Sequence, residues 1–440
     1  MEKTKKSCRS NNSSSNDFFK KVKIYIFSLI GIIIFFIPIK INNELETIIY
    51  HISYFLENEA SSIIEISLIF FIVLSIFKNI LNIGKNNVNK IEICCKSFSL
   101  VILVSIFVGK EDLFFINDNL VFILKDLMLD LSITLPIASL FMPFLLEYGL
   151  VEITEAYTNR IMKKIFKVSG KVFLNFLVYI LVNNVCGVFV TYKLYKDGKL
   201  RRRETAITIL NFSVLSLSLT DDLCNKINIS TIKFFIMEII ILIICNFIIS
   251  RIYPLKKKKQ SYYLKSNHKN VNCKRNKINT AIKRYYENKS NKKLLSLSVS
   301  YLNDVIYILM DLIPTIIFIF FIVNIIYNIP FIMESINNLT NIFVSAFNLP
   351  NSNLISNIIN LNLFSSILAI ESIPQRSYYI IKLMMGIFIA LQCINFCLLI
   401  PFIKGSIIEL TIGEILIVAF ERLCIITFIC FITYNFYCAI

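Results

Sequence analysis

The sequence predicts an all-α polytopic membrane protein with about nine transmembrane helices plus two re-entrant hairpins in inverted-topology repeats. Of its 440 residues, 56% are hydrophobic, and the mean hydropathy is +0.68. Several apolar runs approach or exceed the roughly 18 residues that mark a membrane-spanning helix. These runs lack the alternation of polar and apolar residues that is typical of a β-barrel, so we expect them to be helical.

The apolar runs, taken in chain order, give the individual elements. The predicted spans are residues 24–41, 62–83, 91–109, 128–150, 204–222, 231–252, 304–328, 378–403 and 412–437. A basic tail precedes the first run and no small-residue cleavage site follows it, so we expect a retained span rather than a removed signal peptide. Residues 42–61 contain four Glu and no Lys or Arg, which is typical of an outer loop.

Positive charge identifies the cytoplasmic segments. Residues 1–23 carry seven cations and residues 251–293 carry fifteen, within a net charge of +17. Both segments are therefore expected inside, with the N-terminus cytoplasmic and the C-terminus outside. Contact of Lys256–Lys259 with membrane lipid is a further expectation, whereas no nucleic acid partner is expected.

One apolar run does not fit a simple crossing. Residues 172–192 form 21 positions without a charge, yet five cations lie in 160–171 and six in 193–203. If this run and the next two all crossed, the loop with fifteen cations would lie outside. We therefore predict a re-entrant hairpin that enters and leaves on the cytoplasmic side. In the alternative, 172–192 crosses and 204–222 does not, which puts six cations on the outer side.

A re-entrant hairpin needs a turn within the membrane. The stretch "VNNVCGV", residues 182–188, supplies one, because Asn tolerates left-handed backbone geometry and Gly187 is conformationally permissive. Alternatively, Asn183 and Asn184 hydrogen-bond a neighbouring helix, although two adjacent side chains point in different directions. The turn is the preferred prediction.

The second half of the chain repeats this order of elements. A span with Pro314 leads to a surface helix at 331–349 and then to a polar-interrupted hairpin at 354–371. The offset is about 178–181 residues and the orientation is opposite, which is the pattern of secondary transporters. The predicted regions are a basic tail 1–23, N-terminal helices 24–127, a first repeat 128–252, a basic linker 253–303 and a second repeat 304–440.

Four stretches resemble a known family. They are "FLLEYGLVEITEAYTNRIMKKIFKVSGKVFLNFL" and "CGVFVTYKLYKDGKLRRRETAITILNFSVLS" within 144–217, "FSLIGIIIFFIPI" at 27–39 and "TIGEILIVAFERLCIITF" at 411–428. The chain resembles, over nearly its whole length, the YjiH-type bacterial membrane proteins, which carry the nucleoside-recognition (Gate) domain. The positions that fall on the family pattern are Glu147, Tyr148, Gly149, Gly170, Gly187 and Gly198.

The resemblance implies a solute-transport architecture in the bacterial cytoplasmic (inner) membrane, with a homo-oligomer or a paired Gate-domain membrane protein as partner. The chain departs from the family pattern at both hairpin tips. Asn183 and Asn184 stand where small residues are expected, and "NLNLFSS" (360–366) stands where Gly and an acidic residue are expected.

Polar residues inside the apolar runs form the candidate site, because such groups are costly in a membrane and usually serve a function there. The predicted substrate-binding residues are Asn183, Asn184, Gly187, Asn211, Ser213, Ser216, Asn360, Asn362, Ser365 and Ser366. Amides and hydroxyls both donate and accept hydrogen bonds, which suits a neutral or zwitterionic small-molecule solute. Glu147 and Asp311 are predicted to bind the coupling ion, a proton or sodium, with a structural ion pair as the alternative for each.

The predicted function is ion- or proton-coupled transport of a small polar solute, nucleoside-like or other. A non-transporting membrane scaffold, or an accessory subunit of a Gate-domain partner, is the alternative. No nucleotide-binding glycine loop or nucleophile motif is present, so an enzyme is not expected. The 12 Cys show no CxxC spacing and there are only two His, so we expect neither a metal site nor another cofactor.

Overall fold

The computed structural model describes residues 24–41, 44–81, 90–109, 118–264, 293–392 and 396–439, with the isolated positions 22, 282, 285 and 286. About four-fifths of these residues are helical. Strand β1 (Pro38–Ile41) pairs with β2 (Glu44–Thr47) in an antiparallel ribbon. The all-α class is therefore confirmed, whereas the basic tail and most of the basic linker lie outside the described residues.

The helices before the linker form two groups. The N-terminal group is α1 (Ile24–Phe36), α2 (Ile48–Leu81) and α3 (Lys90–Phe107). The first-half group is α4 (Asp118–Leu146), α5 (Leu150–Ile165), α6 (Phe173–Leu181), α7 (Asn184–Lys196), α8 (Arg202–Asn211), α9 (Leu217–Ile227) and α10 (Thr231–Ile249).

The helices after the linker repeat the first-half group. They are α11 (Leu294–Asn328), α12 (Pro330–Ser345), α13 (Ser352–Phe364), α14 (Ser366–Glu371), α15 (Tyr379–Leu391), α16 (Phe396–Lys404) and α17 (Ile412–Ala439). Each helix from α11 to α17 begins about 180 residues after its counterpart from α4 to α10. The seven helices of the second half therefore follow one another with the same spacing along the chain as the seven of the first.

Four helices in the described part of the chain are long and apolar enough to cross a membrane, namely α2, α10, α11 and α17. The pair α4 and α5, bent by 71° at residues 147–149, would raise the number to five. The predicted spans 62–83, 231–252, 304–328, 412–437 and 128–150 lie wholly or mostly within these elements. The structure thus supports a membrane protein with fewer uninterrupted spans than the sequence suggested.

Three predicted spans have a different form. The run 24–41 is the short helix α1 followed by β1. The run 204–222 is two helices, because residues 213–216 between α8 and α9 are extended and bond to other elements. The run 378–403 is also two helices, since α15 ends at Leu391 and α16 begins at Phe396. Polar residues accompany the breaks in the second and third runs, whereas the first run breaks just before Pro38.

Helix α2 is longer than a bilayer requires. Its 34 residues extend about 51 Å at 1.5 Å per residue, against roughly 30 Å of hydrocarbon. The helix kinks at Ala60, where the backbone leaves helical geometry (φ −130°, ψ 20°). The segment before the kink, which the sequence suggested to be a loop, is therefore a separate helical arm that continues from the β-ribbon.

Helices α6 and α7 form a tight antiparallel pair. Asn175 Nδ2 donates to Thr191 Oγ1 at 2.5 Å, and the ring of Tyr179 lies against Gly187. A Cβ at Gly187 would lie 2.6 Å from that ring, so the glycine permits the close approach of the helices. Gly187 is thus a packing residue within α7 rather than part of the turn.

The turn itself is shorter than predicted and uses extended rather than left-handed geometry. Helix α6 ends at Leu181, and Asn183 (φ −165°, ψ 169°) caps α7 by accepting from Cys186 N at 2.8 Å. The N-cap position favours Asn because its side-chain oxygen satisfies a free backbone amide of the first turn. Asn183 therefore turns the chain through capping, without a positive φ.

The basic segments meet at one end of the molecule, here called the basic face. Arg251, which follows α10, donates to the carbonyl oxygens of Ile165 at 2.8 Å and Lys164 at 2.6 Å. Lys171 Nζ lies 3.5 Å from Lys199 O, so both flanks of the α6–α7 pair lie side by side. Within the described residues, the basic stretches 160–171 and 193–203 and the start of the linker therefore lie at one end of the molecule.

Where a helix of the first half ends at the basic face, its counterpart in the second half begins there. Helix α10 ends at this face, whereas α17 begins there, because Glu414 in its first turn pairs with Lys258 at 2.5 Å. Likewise α4 ends where α11 begins, since Tyr301 donates to Glu147 at 2.8 Å. In these two pairs, the helix of the second half thus runs in the opposite direction to its counterpart in the first.

Candidate functional site

A cavity of about 390 Å³ lies where the interrupted helices meet. Its walls come from the α6–α7 turn, the extended segment between α8 and α9, the start of α14, the middle of α4 and the arm of α2. Helices that end inside a protein leave amide and carbonyl groups without helical partners. The cavity is therefore surrounded by backbone polar groups as well as side chains.

The α6–α7 turn is fastened to the extended segment after α8. Asn184 Oδ1 accepts a hydrogen bond from Val214 N at 3.3 Å. Next along the chain, Leu215 N donates to Ala390 O at 3.0 Å, at the end of α15. This bond joins the two halves at the point where both have a broken helix.

The second half supplies a matching contact. Asn362 Nδ2 donates to the carbonyl oxygens of Phe388 and Ile389, each at 3.1 Å. These carbonyls belong to the last turn of α15, where the helical hydrogen bonds run out. A continuous series of contacts therefore runs from Asn184 through Leu215 to Asn362, and both asparagines stabilise helix interruptions.

Serines complete the cavity wall between the two halves. Ser365 caps α14 by accepting from Leu368 N at 3.5 Å, and Ser366 follows it on the wall. Ser213 and Ser216 line the wall from the extended segment of the first half. Ser216 precedes α9 and faces the cavity, but its side chain makes no capping bond to the first turn of that helix.

Six of the predicted substrate-binding residues line this one cavity: Asn183, Asn184, Ser213, Ser216, Ser365 and Ser366. Four do not. Gly187 packs against Tyr179, and Asn362 bonds to the end of α15. Asn360 donates to Asn337 at 2.6 Å between α13 and α12, and Asn211 is fully buried at the end of α8, outside the cavity wall.

The structure adds residues to the site that the sequence analysis assigned to an outer loop. Tyr50, Tyr54 and Glu57 of the α2 arm line the cavity, together with Asp222 of α9. The rings of Tyr50 and Tyr54 are stacked with centroids 6.2 Å apart. A helical spacing of four between the two tyrosines was the signal for this surface, but the glutamates around them indicated a solvated loop.

Glu46 stands beside this acidic part of the cavity. Burial raises the pKa of Glu46 above its ordinary value, and the nearby Asp222 raises it further. A hydrogen bond with Ser218 and the charge of His51 act in the opposite direction. The β-ribbon is thereby joined to the first turn of α9, at the edge of the cavity.

The basic face, in contrast, is closed by charged contacts between the halves. Asp304 of α11 accepts from Lys193 and Lys196 of α7, each at 2.7 Å. Lys193 also lies 4.1 Å from the centre of the Tyr301 ring. Tyr301 also donates to Glu147 and so extends this contact between α11 and the first half. We call Asp304, Lys193, Lys196, Tyr301 and Glu147 together the charged clasp.

Lys199 joins the charged clasp from the loop after α7. Its ammonium lies 3.4 Å from Glu147 Oε1. Burial opposes the charge, but the carboxylates of Glu147, Glu152 and Asp197 together raise the pKa of Lys199 above its ordinary value. The lysine therefore stays charged and holds the end of α4 to the α6–α7 pair.

The two predicted coupling carboxylates lie outside the cavity wall. Asp311 is held by Lys78 and Lys96, each at 2.8 Å, and by Ser75 at 3.2 Å. Glu147 belongs to the charged clasp. Asp311 thus has the surroundings of a structural ion pair between α11 and the N-terminal helices. Among the described residues, no group of three or more His, Cys, Asp or Glu is placed to hold a metal ion.

A stretch of 128 residues is 30% identical to an uncharacterized protein of Alkalihalophilus pseudofirmus. The match covers 29% of this chain and 28% of the length of that relative. No family model matches the chain. No solved structure matches it either.

Proposed function

We propose that this chain is a secondary transporter that moves a small polar solute across the bacterial cytoplasmic membrane. The observation that carries the proposal is the meeting of the α6–α7 turn, the start of α14 and the broken helix α8–α9 around one cavity of about 390 Å³. Broken helices that line a binding site between oppositely oriented halves are the general architecture of such carriers. The volume lies within the range of small-molecule sites, roughly 300–1,000 Å³.

The proposed topology puts the basic face in the cytoplasm and treats α6–α7 as a re-entrant hairpin. In support, both flanks of that pair lie together at the basic face, as shown by the contact of Lys171 with Lys199. The N-terminus is then cytoplasmic and the C-terminus outside. Irregular backbone in the membrane would line the cavity, and such backbone is tolerated there or where it is buried in protein.

The arrangement of open and closed ends supports alternating access. The cavity borders the α2 arm, where Tyr54 is 42% exposed, while the charged clasp joins the halves at the basic face. The proposed state is therefore open to the outside and closed to the cytoplasm. Inward opening would require Asp304 to separate from Lys193 and Lys196.

Coupling to a proton or sodium ion is part of the proposal, with Glu147 as the preferred carboxylate. Glu147 lies at the 71° bend between α4 and α5 and contacts both Tyr301 and Lys199. A change in its charge would act directly on the charged clasp. Asp311 is less suitable, because two lysines already neutralise it.

Uptake into proteoliposomes tests the transport proposal. The full chain would be screened with nucleosides, amino acids and small peptides under imposed proton and sodium gradients. We expect gradient-dependent accumulation of at least one class, and its loss in Ile367→Trp, which adds bulk to the cavity wall. Ile417→Trp is the matched control, because Ile417 is 38% exposed on the outer surface of α17.

Two results would contradict the proposal. One is the absence of driven uptake for every class despite correct insertion. The other is unchanged uptake in Ile367→Trp. Either result would favour the alternative of a scaffold or accessory subunit, in which the interrupted helices serve contact with a partner.

A further inference from the structure

The cavity has an acidic side. Glu57 and Asp222 line it, and Glu46 is adjacent through Ser218. No Lys, Arg or His contributes to its wall within the described part of the chain. A cationic group entering from this side would meet carboxylates and the stacked rings of Tyr50 and Tyr54, whose faces also attract cations.

The cavity also has a side rich in backbone amides, at the start of the 11-residue helix α9. The first-turn amides of Leu217, Ser218 and Leu219 have no helical acceptor, because they precede the first complete turn. The helix dipole adds partial positive charge at this end. Such an end, lying in a cavity, is suited to a carboxylate.

Ser216 provides a second, independent observation at this end. Its side chain is only 6% exposed and lines the cavity, yet it makes no capping bond to α9. Because the Ser216 side chain faces the cavity and does not bond to the first turn of its own helix, its hydroxyl can bond to a ligand or water there. Asn183 already occupies the corresponding position of α7, whose first turn it caps. Ser365 likewise caps α14, so α9 differs from these two helices at the cavity in having no side-chain cap.

The two sides are a short distance apart along one helix. Asp222 follows Ser216 by six positions, which corresponds to about 9 Å of helix rise. A small molecule with opposite charges at its ends fits between the α9 amides and the acidic side. A neutral solute would make neither charged contact, and a simple cation or anion would make only one.

We propose that the solute is a zwitterion of the amino-acid class. Its carboxylate binds the first-turn amides of α9 and the Ser216 hydroxyl, and its ammonium group binds beside Asp222 and Glu57. This inference rests on the proposed transport function and assigns its substrate class. Each of the two charged contacts is expected to strengthen binding about tenfold or more.

Thermal stabilisation of the purified full chain by each of the twenty amino acids, taken singly, tests the inference. We expect at least one to raise the unfolding temperature in a saturable manner. Its amide, which lacks the carboxylate, and its des-amino analogue, which lacks the ammonium, should each bind at least tenfold more weakly. Equal binding of either analogue, or stabilisation by nucleosides and by no amino acid, would overturn the assignment.

Substitutions at the two ends separate the contacts. Asp222→Asn should weaken binding of the amino acid about tenfold without changing that of the des-amino analogue. Ser216→Ala should weaken the amino acid without changing the amide. Asp221→Asn is the control, since Asp221 bonds to Thr231 outside the cavity wall and should leave all three affinities unchanged. Loss of affinity in Asp221→Asn equal to that in Asp222→Asn would contradict the assignment.

The outcomes distinguish failure of the zwitterion assignment from failure of the proposed transport function. Driven uptake of a nucleoside or a peptide with no amino-acid binding would overturn the zwitterion assignment and leave transport standing. The absence of both uptake and any saturable ligand would overturn both.

Discussion

At the scale of single residues, the asparagines and serines of the site have two different tasks. Asn183, Asn184 and Asn362 satisfy backbone groups where helices are interrupted. Ser216 has no such task in the described structure and is free to contact a ligand. The polar residues in apolar runs are therefore partly architectural, and only their individual contacts show which ones face the cavity.

Glu46 permits a prediction about pH. Burial raises its pKa from the ordinary value of 4.5, so the folded state binds the proton more tightly than the unfolded chain. This contribution to stability is present below about pH 4.5 and is lost as the pH rises through the raised value. We expect Glu46→Gln to raise the unfolding temperature at pH 7 and to flatten its dependence on pH above 4.5.

The measurement is thermal unfolding of both proteins from pH 4.5 to 8. Glu65→Gln serves as control, because it removes the same charge from the middle of α2, away from the β-ribbon. Parallel pH profiles for wild type and Glu46→Gln would show that burial of the Glu46 carboxylate does not destabilise the folded protein.

At the scale of elements, the charged clasp determines how α7 is held to α11. Asp304 carries both lysine contacts, and Lys193 is only 8% exposed. Removing the carboxylate leaves a nearly buried ammonium group without its partner. Breaking a fully buried pair costs about 3–5 kcal/mol, so we expect Asp304→Asn, which is less deeply buried, to cost roughly 1–3 kcal/mol.

Thermal unfolding relative to Glu409→Gln checks this value. Glu409 pairs with Arg202 and is 52% exposed, so its loss should change stability by no more than about 1 kcal/mol. If both variants lost the same stability, the clasp would be an ordinary surface contact.

The elements also show how far the sequence could be interpreted. The distribution of positive charge predicted that both flanks of α6–α7 lie on one side of the membrane, and in the structure Lys171 of one flank contacts Lys199 of the other. The interruption near Ser365 was visible because polar residues break an apolar run. The orientation of Asn360 and Asn362 was not accessible, since side-chain partners depend on how α13 meets its neighbours.

Other parts of the site depend on contacts distant in the chain. Asp311 reaches Lys78 and Lys96 across more than 200 positions, and no local pattern indicates that pairing. The α2 arm has glutamates that are typical of a loop, yet Tyr50 and Tyr54 bring it to the cavity. Long-range packing therefore determines both the ion pair of Asp311 and the position of the α2 arm at the cavity.

At the scale of the whole molecule, the basic face defines the orientation to be tested. Lys167, Lys196 and Lys259 all lie on segments at this face, whereas Asp221 lies beside the start of α10 at the other end. We expect Cys at the three lysine positions to react with a membrane-impermeant maleimide only after cells are opened. Cys at Asp221 should react in intact cells.

Labelling is measured against the parent protein, because Cys94 is exposed and contributes a background. Reaction of Cys at Lys196 in intact cells, with Lys167 still protected, would show that 172–192 crosses the membrane. The alternative topology, in which 204–222 does not cross, would then be favoured.

The contact of Leu215 N with Ala390 O has a mechanical meaning. It joins the two halves by a backbone bond where their broken helices cross, and a typical hydrogen bond of this kind contributes only about 0.5–1.5 kcal/mol. If the halves rotate as the proposed transport cycle requires, so weak a bond would resist the rotation little and would mark the point about which they turn. The charged clasp and the α2 arm would then move in opposite directions about that point.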